Sequence, residues 1–443
     1  MYRTLMQELI AWKTEPRRKP LILRGARQVG KTWLLQEFGA NEFSGCSYVR
    51  LEDNAAMRAL FEGSLEPRRL LEGLSAYTGK QITTDTLIVL DEVQAVPRAL
   101  TALKYFYEEK PEYPIIVAGS LLGIALHSDI SFPVGKVDFL ELHPMTFGEF
   151  LLAEGQEALN QYIKENNQEM IHVFSEKLTD LLKQYYFVGG MPEAVLEFTS
   201  TKDFKRVRRI QQSILNTYEA DFSKHTDKDV AERCRQVWSS IPSQLAKENK
   251  KFIFGAVKEG SRGRDYHWAI RFLIDNGLIL PVWRISKPGI PLESYKETSA
   301  FKLYLVDIGL LGAMSDLDQR SIIEGNRLFE EFRGAYAEQF VCQELIAECG
   351  FRPYYWSAEK SSGEIDFIFQ SNGVVYPIEV KASENLKSKS LGVFCKKYDL
   401  ESGIRLSLSG FRDQGWMQNI PLYSVGSLNR LLESGTGIHL SNQ

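Results

Sequence analysis

The stretch Gly25-Ala26-Arg27-Gln28-Val29-Gly30-Lys31-Thr32 directly follows the apolar residues Leu21-Ile22-Leu23 and Arg24, and runs into a helical pattern. It fits G-x-x-x-x-G-K-[ST], a spacing with a physical reason behind it. Glycines let the backbone wrap a phosphate, so that successive N–H groups and a helix N-terminus meet the negative charge. Lys31 is placed to reach β- and γ-phosphates, and the Thr32 hydroxyl to ligate Mg2+. Every residue from Gly25 to Thr32 is therefore a candidate nucleotide contact.

A partner for this loop is legible further on. Thr86-Leu87-Ile88-Val89-Leu90 is an apolar run that delivers Asp91 and Glu92 at its end. Asp91 is expected to hold Mg2+, and Glu92 to polarise an attacking water as general base. The next run, Tyr113 to Ala118, ends in Gly119-Ser120. Ser120 is expected either to contact the γ-phosphate or the lytic water, or to cap the helix after it. Nearly continuous apolar runs at 21–23, 47–51, 86–90, 113–118 and 137–142 alternate with helical stretches. Such runs imply a parallel sheet covered on both faces.

The chain has 443 residues, with 44% hydrophobic and 25% charged side chains, which excludes disorder, collagen and a disulfide scaffold as descriptions of the whole. Its five cysteines include no C-x-x-C pair, which suits reduced, buried thiols in a reducing compartment. The N-terminus lacks the apolar stretch of a signal peptide, and no run nears the roughly 18 residues of a membrane helix. A cytoplasmic protein without membrane contact is expected.

From Glu149 to Ser243 the pattern is helical, interrupted at Gly189-Gly190-Met191-Pro192. Between Lys247 and Met314 it reads helix, helix, then strands at 278–285 and 300–306, the outline of a winged helix. The net charge of −4 divides unevenly. Residues 202–271 hold 16 Lys or Arg against 9 Asp or Glu, a net of +7, which leaves −11 elsewhere. Basic charge on a winged helix gains affinity for phosphate backbones by counterion release. DNA is thus the expected partner of this middle, with Tyr266, His267 and Arg271 on the helix that would enter the major groove. A solvated surface that serves only protein contacts is the open alternative.

In the tail, Gly363-Glu364-Ile365-Asp366 begins one strand and Ile378-Glu379-Val380-Lys381 ends a second. A hairpin would bring Asp366 beside Glu379, and alternation puts Glu379 and Lys381 on one face. Two acids to hold a metal and a lysine to stabilise charge or activate water are the elements of metal-dependent phosphodiester hydrolysis. Glu338, on the preceding helix, is a fourth candidate. The pattern resembles the PD-(D/E)xK nuclease superfamily, which would make Asp366 and Glu379 metal ligands.

VLDEVQAVP, VAGSLLG, LELHPMTFGEF, YFVGGMPEAV and FKLYLVDIGLLGAM follow one another along the chain. In that order they resemble the bacterial and archaeal AAA+ ATPases with a DUF4143 C-terminal region. The resemblance implies ATP and Mg2+ as cofactors. It implies phosphate contacts at Gly25, Gly30, Lys31 and Thr32, metal and water roles for Asp91 and Glu92, and a sensor role for Ser120. One departure is Gly135-Lys136, where the family places Gly-Arg; lysine lacks the planar fork of an arginine finger. Arg24, Arg27 and Arg98 are other candidates for the finger. AAA+ relatives often complete their sites across subunits, which leaves a homo-oligomer open.

The expected fold is multidomain α/β. It comprises a P-loop AAA+ parallel-sheet core (1–150), a helical region (151–245), a winged helix (246–318) and a restriction-endonuclease-like α/β domain (324–443). The expected function is ATP binding and hydrolysis coupled to DNA binding and metal-dependent cleavage. The alternative is a nucleotide-dependent switch whose nuclease-like tail is a non-catalytic docking domain.

Overall fold

Runs of residues apolar on both sides of the strand can only be satisfied between two layers. In the computed structural model, which describes residues 1–119, 132–247, 250–325, 330–358, 363–382 and 388–433, that is where they lie. Strands β1 (Leu21–Arg24), β2 (Gly45–Arg50), β3 (Thr86–Asp91), β4 (Ile115–Ala118) and β5 (Asp138–Glu141) form a sheet in the order β2-β3-β4-β1-β5. Every neighbouring pair is parallel. β3 and β4 are buried along their whole length. Against them pack Phe61, Leu70 and Leu74 from the helices Ala55–Glu62 and Pro67–Thr78, and Leu100, Leu103 and Phe106 from Arg98–Glu109. Because β4 lies between β1 and β3, the loop after β1 and the acids ending β3 flank the end of β4.

The chain divides into two compact units: Met1–His143 with Arg271–Leu278, and Pro144–Ile270 with Ile279–Gln443. In the second unit, five helices (Phe147–Ala153, Ser175–Val188, Pro192–Thr201, Phe204–His225 and Lys228–Leu245) account for much of the stretch read as helical. Its sheet holds β6 (Ile279–Ile285), β7 (Lys296–Leu305), β8 (Tyr354–Ser357), β9 (Glu364–Ser371), β10 (Val374–Val380), β11 (Gly403–Ser407), β12 (Arg412–Asp413) and β13 (Met417–Pro421). Their order is β12-β13-β11-β10-β9-β8-β6-β7. The hairpin expected as the wing is β6–β7, and it is antiparallel as expected. It does not end there: β6 also pairs in parallel with β8, so the hairpin and the tail share one sheet.

Three of the sequence motifs meet inside this unit. Asp307, wholly buried at the N-cap of the helix Ile308–Met314, accepts hydrogen bonds from the N–H groups of Gly190 (2.6 Å) and Leu310 (3.0 Å). The Gly190 carbonyl accepts from the N–H of Met145 at 2.7 Å, and the Tyr185 hydroxyl donates to the Met145 carbonyl at 2.6 Å. Burial raises the Asp307 carboxyl to about 6, against the pull of the N–H groups of Gly190, Leu310 and Gly309. Among the described residues, no helix is long and apolar enough to cross a membrane.

Candidate functional site

The loop after β1 owes its path to backbone freedom at two glycines. Gly25 has φ +144°, and a Cβ there would lie 2.2 Å from the Leu142 carbonyl oxygen. Gly30 has φ +95° and opens the helix Lys31–Glu42, while Gln28 also takes the left-handed region at φ 67°. These turns curl the loop at the positive end of a helix. Lys31 lies back over the curl, its ammonium donating to the carbonyls of Gly25 (2.8 Å) and Ala26 (2.7 Å). From below, Arg3 donates to the carbonyls of Val29 (2.7 Å) and His143 (2.5 Å). Sequence reasoning missed Arg3, since a lone arginine before a helix carries no signal of a partner 26 residues away.

β3 brings Asp91 to the same place. The Thr32 hydroxyl donates to Asp91 Oδ2 at 2.9 Å, the Tyr48 hydroxyl donates to the same oxygen, and Asp91 Oδ1 accepts from the Glu92 N–H at 2.9 Å. Glu92 turns off the strand at φ 55°, and Gln94 donates to its Oε2 at 2.6 Å. Tyr48 and Gln94 were also missed; the parallel register, Arg50 opposite Asp91, is what puts β2 beside the acid. A hydroxyl and a carboxylate sharing one hydrogen bond are hard oxygen donors that fit Mg2+, which in nucleotide sites takes one or two carboxylates plus phosphates.

Burial lowers the Lys31 ammonium to about 8; Glu92 and Asp91 pull it up again and Arg27 pushes it further down. The proton on Lys31 is thus lost near pH 8 in the nucleotide-free loop, and its attraction for phosphate goes with it. ATP affinity is expected to be level from pH 6.5 to 7.5 and then to weaken by up to about tenfold per pH unit above 8. Titration with a fluorescent ATP analogue at several pH values checks this, and level affinity to pH 9.5 would contradict it.

The tail's acids occupy a different setting. β9 and β10 form the expected antiparallel hairpin, and Asp366 Oδ2 accepts from the Val380 N–H at 2.8 Å. Glu379 and Lys381 share a face, 2.7 Å apart, as expected from alternation. Glu338 does not face them as a free ligand. It accepts from Lys250 and from the Tyr304 hydroxyl (3.0 Å), and its Oε2 lies 3.7 Å from Lys302. Lys302, with no exposed surface, also donates to Glu364. Among the described residues, no group of three or more His, Cys, Asp or Glu could hold a metal ion. The ammonium of Lys302 stands beside Glu338 and Glu364, whereas the buried Oε2 of Glu379 makes no hydrogen bond.

Residues 17–151 match the AAA domain family, residues 333–424 match a domain of unknown function, DUF4143, and residues 179–321 match another, DUF8612. The chain joins an AAA domain to a DUF4143 region. Similar solved structures include the Walker-type ATPase Paby2304 of Pyrococcus abyssi, 15% identical over 70% of this chain and 94% of that chain, with a TM-score of 0.41. The Aeropyrum pernix Orc1 protein in complex with DNA is 14% identical over 71% and 90% respectively, with a TM-score of 0.28. The AMPPCP-bound DnaA from Aquifex aeolicus is 16% identical over 61% and 86%, with a TM-score of 0.27. No curated protein matches the chain.

Within the AAA domain, two of the candidate finger arginines have local work. Arg98 donates to the carbonyls of Phe61 (2.9 Å) and Gly63 (3.1 Å), and the Arg24 guanidinium stacks 4.0 Å from the Phe139 ring. Lys136 pairs with Glu108 at 3.6 Å. Ser120 lies outside the described residues. In the DUF8612 match, Tyr266 is not available to a groove: it is buried, and its hydroxyl donates to Gln236 at 2.7 Å. Its helix, Gly263–Asp275, instead exposes Arg264, His267 and Trp268, one turn apart on one face, with Trp268 67% exposed. Arg208, within the basic stretch 202–271, is half-buried and spent on Gln211 (2.9 Å) and the Leu317 carbonyl (2.7 Å).

Proposed function

We propose that the AAA domain binds ATP with Mg2+ and hydrolyses it. The observation that carries this reading is the Thr32–Asp91 hydrogen bond at the mouth of the Gly25–Thr32 loop. On binding, Lys31 exchanges the carbonyls of Gly25 and Ala26 for phosphate oxygens, and the loop's N–H groups take up others. Thr32 and Asp91 would hold Mg2+, which neutralises charge on the phosphates. Glu92 accepts a proton from water as the water oxygen bonds to the γ-phosphorus and the bond to the β-phosphate oxygen breaks, with ADP and phosphate as products. Phosphate release from ATP, measured with and without Mg2+, tests this. A purified chain that binds nucleotide yet releases no phosphate with Mg2+ would end the hydrolysis reading; one that binds none would end both.

The basic stretch 202–271 supports DNA docking, with Arg264, His267 and Trp268 as the contact face. An exposed indole offers a base a stacking surface worth about 1–3 kcal/mol, and an arginine beside it holds the backbone. Arg264→Ala with Trp268→Ala is expected to weaken DNA binding about tenfold or more at low salt and to flatten its salt dependence. Anisotropy titrations from 50 to 200 mM salt check this, and unchanged affinity would move the docking surface elsewhere.

Between a cutting tail and a docking tail, the second is favoured by one observation: Lys302 stands among the carboxylates. The protein then acts as a nucleotide-dependent switch, with DNA held by its middle and the DUF4143 region as a non-catalytic platform.

A further inference from the structure

We infer that the carboxylates of the DUF4143 region form an ammonium-centred staple rather than a metal site. In it, Lys302 takes the place of a divalent cation and fastens the β6–β7 hairpin to the rest of the sheet.

The argument begins with which strand each charge comes from. Lys302 sits on β7, at the edge of the sheet, whereas Glu364 and Asp366 sit on β9, three strands further in. Glu338 comes from the helix Glu330–Ala347, and Lys250 lies just before the helix Phe254–Val257. The backbone join between hairpin and tail is short: among the described residues β6 and β8 pair at Trp283–Tyr354 and Arg284–Tyr355, with Arg284 also donating to the Ser357 carbonyl at 2.8 Å. The ion cluster spans that join. Lys302 bonds Glu364 on the far side of it and lies 3.7 Å from Glu338, while Tyr304, also on β7, donates to Glu338 at 3.0 Å and packs its ring 5.7 Å from Phe367. Lys250 closes the set through the other oxygen of Glu338.

The charges account for one another. Burial works against a charged Lys302, but Glu338, Glu364 and Asp366 outweigh it and hold the ammonium protonated. Burial also works against a charged Glu338, yet Lys250 and Lys302 keep its carboxyl below the usual range. Asp366 is the carboxyl left over: burial and then Glu338 push it upward, against Lys302, Lys250 and the Val380 N–H. Glu379 pairs separately, through Oε1 with Lys381 at 2.7 Å, and Arg405 is its register partner on β11; its buried Oε2 makes no hydrogen bond. Glu338 and Glu364 thus each face an ammonium already, as Glu379 faces Lys381. A divalent ion entering the cluster would have to displace an ammonium that has no water to go to.

The test reads metal binding and melting rather than ATP turnover, so its failure leaves the nucleotide reading standing. It uses the full chain with Asp91→Ala, which removes the other proposed metal ligand, and Mn2+ as the probe. The Asp91→Ala protein is expected to show no Mn2+-dependent shift in melting temperature and no Mn2+-dependent DNA cleavage. Adding Lys302→Met is expected to lower the melting temperature by about 5 °C or more in EDTA. Mn2+ should recover part of that loss, since the emptied acids then accept an outside cation. Adding Glu364→Gln to Lys302→Met should also recover part of it, by removing the charge left unpaired. Mn2+ stabilisation or DNA cleavage by the Lys302-containing chain, lost in Asp366→Asn, would overturn the inference without any need for a Lys302 variant to fold. Lys302→Met melting like its parent would overturn it equally.

Discussion

Glu92→Gln is expected to bind ATP with Mg2+ about as tightly as the wild type and to turn it over about 10²–10⁴ times more slowly. The substitution removes the proposed proton acceptor and little else. Gln94 donates to Glu92 Oε2 at 2.6 Å, and an amide at 92 still offers one oxygen to receive that bond. The backbone at Glu92, with φ 55°, is left-handed for either residue, so the turn off β3 is kept. Asp91, Thr32 and Lys31, the proposed metal and phosphate contacts, remain in place. Lys31→Ala should fail earlier, at binding. The loop then loses its one inward ammonium, which lies over the carbonyls of Gly25 and Ala26, and affinity should fall at least 100-fold, about 3 kcal/mol. Fluorescent-nucleotide titration and phosphate release on both variants separate the two effects. Turnover at the wild-type rate in Glu92→Gln would mean that another group takes the proton.

The second large effect is structural. Gly190→Ala should destabilise the unit holding residues 144–270 and 279–443 by about 4 kcal/mol or more, enough to unfold it or leave it in the insoluble fraction. A Cβ on Gly190 would lie 2.0 Å from the Met145 carbonyl oxygen and 2.8 Å from its nitrogen, and backbone atoms have nowhere to yield. Moving aside would break the Met145–Gly190 bond (2.7 Å) and the Gly190–Asp307 bond (2.6 Å) together, stranding a buried carboxyl. The neighbouring Gly189 is as constrained, at φ +71° and with a Cβ position 2.2 Å from Asp307 Oδ1. Gly255→Ala is the control: nothing lies within 4 Å of the added methyl, and its effect should stay within about 0.5 kcal/mol. Chemical denaturation of the two variants measures the difference, and a Gly190→Ala protein as stable as the control would show that the motif junction is not what holds this unit together.

Local pattern determined what local physics could. The phosphate loop, the strand ending in Asp91 and Glu92, the alternation of runs and helices, and the β9–β10 hairpin all rest on spacing and periodicity within a few dozen residues. Their chemistry is carried by neighbours in the chain, so the one-dimensional record suffices. The same holds for Gly25, whose glycine the motif demands and whose need for it the Leu142 carbonyl explains.

Only the tertiary structure decided what those groups meet. Tyr48 and Thr32 share Asp91 because β2 and the loop converge on β3, and Tyr266 turns inward to Gln236 while Trp268 stays out. Neither fact has a signature in spacing. The tail shows the difference most sharply. Glu338, Asp366, Glu379 and Lys381 were legible as a metal-site pattern, yet Lys302 lies 62 residues before its partner Glu364 and arrives through the β6–β8 join. Sequence can say which charges a chain carries. Which charge a buried carboxylate faces depends on the strand order, because in a dry interior the nearest cation decides whether an acid can serve as a ligand or is already neutralised.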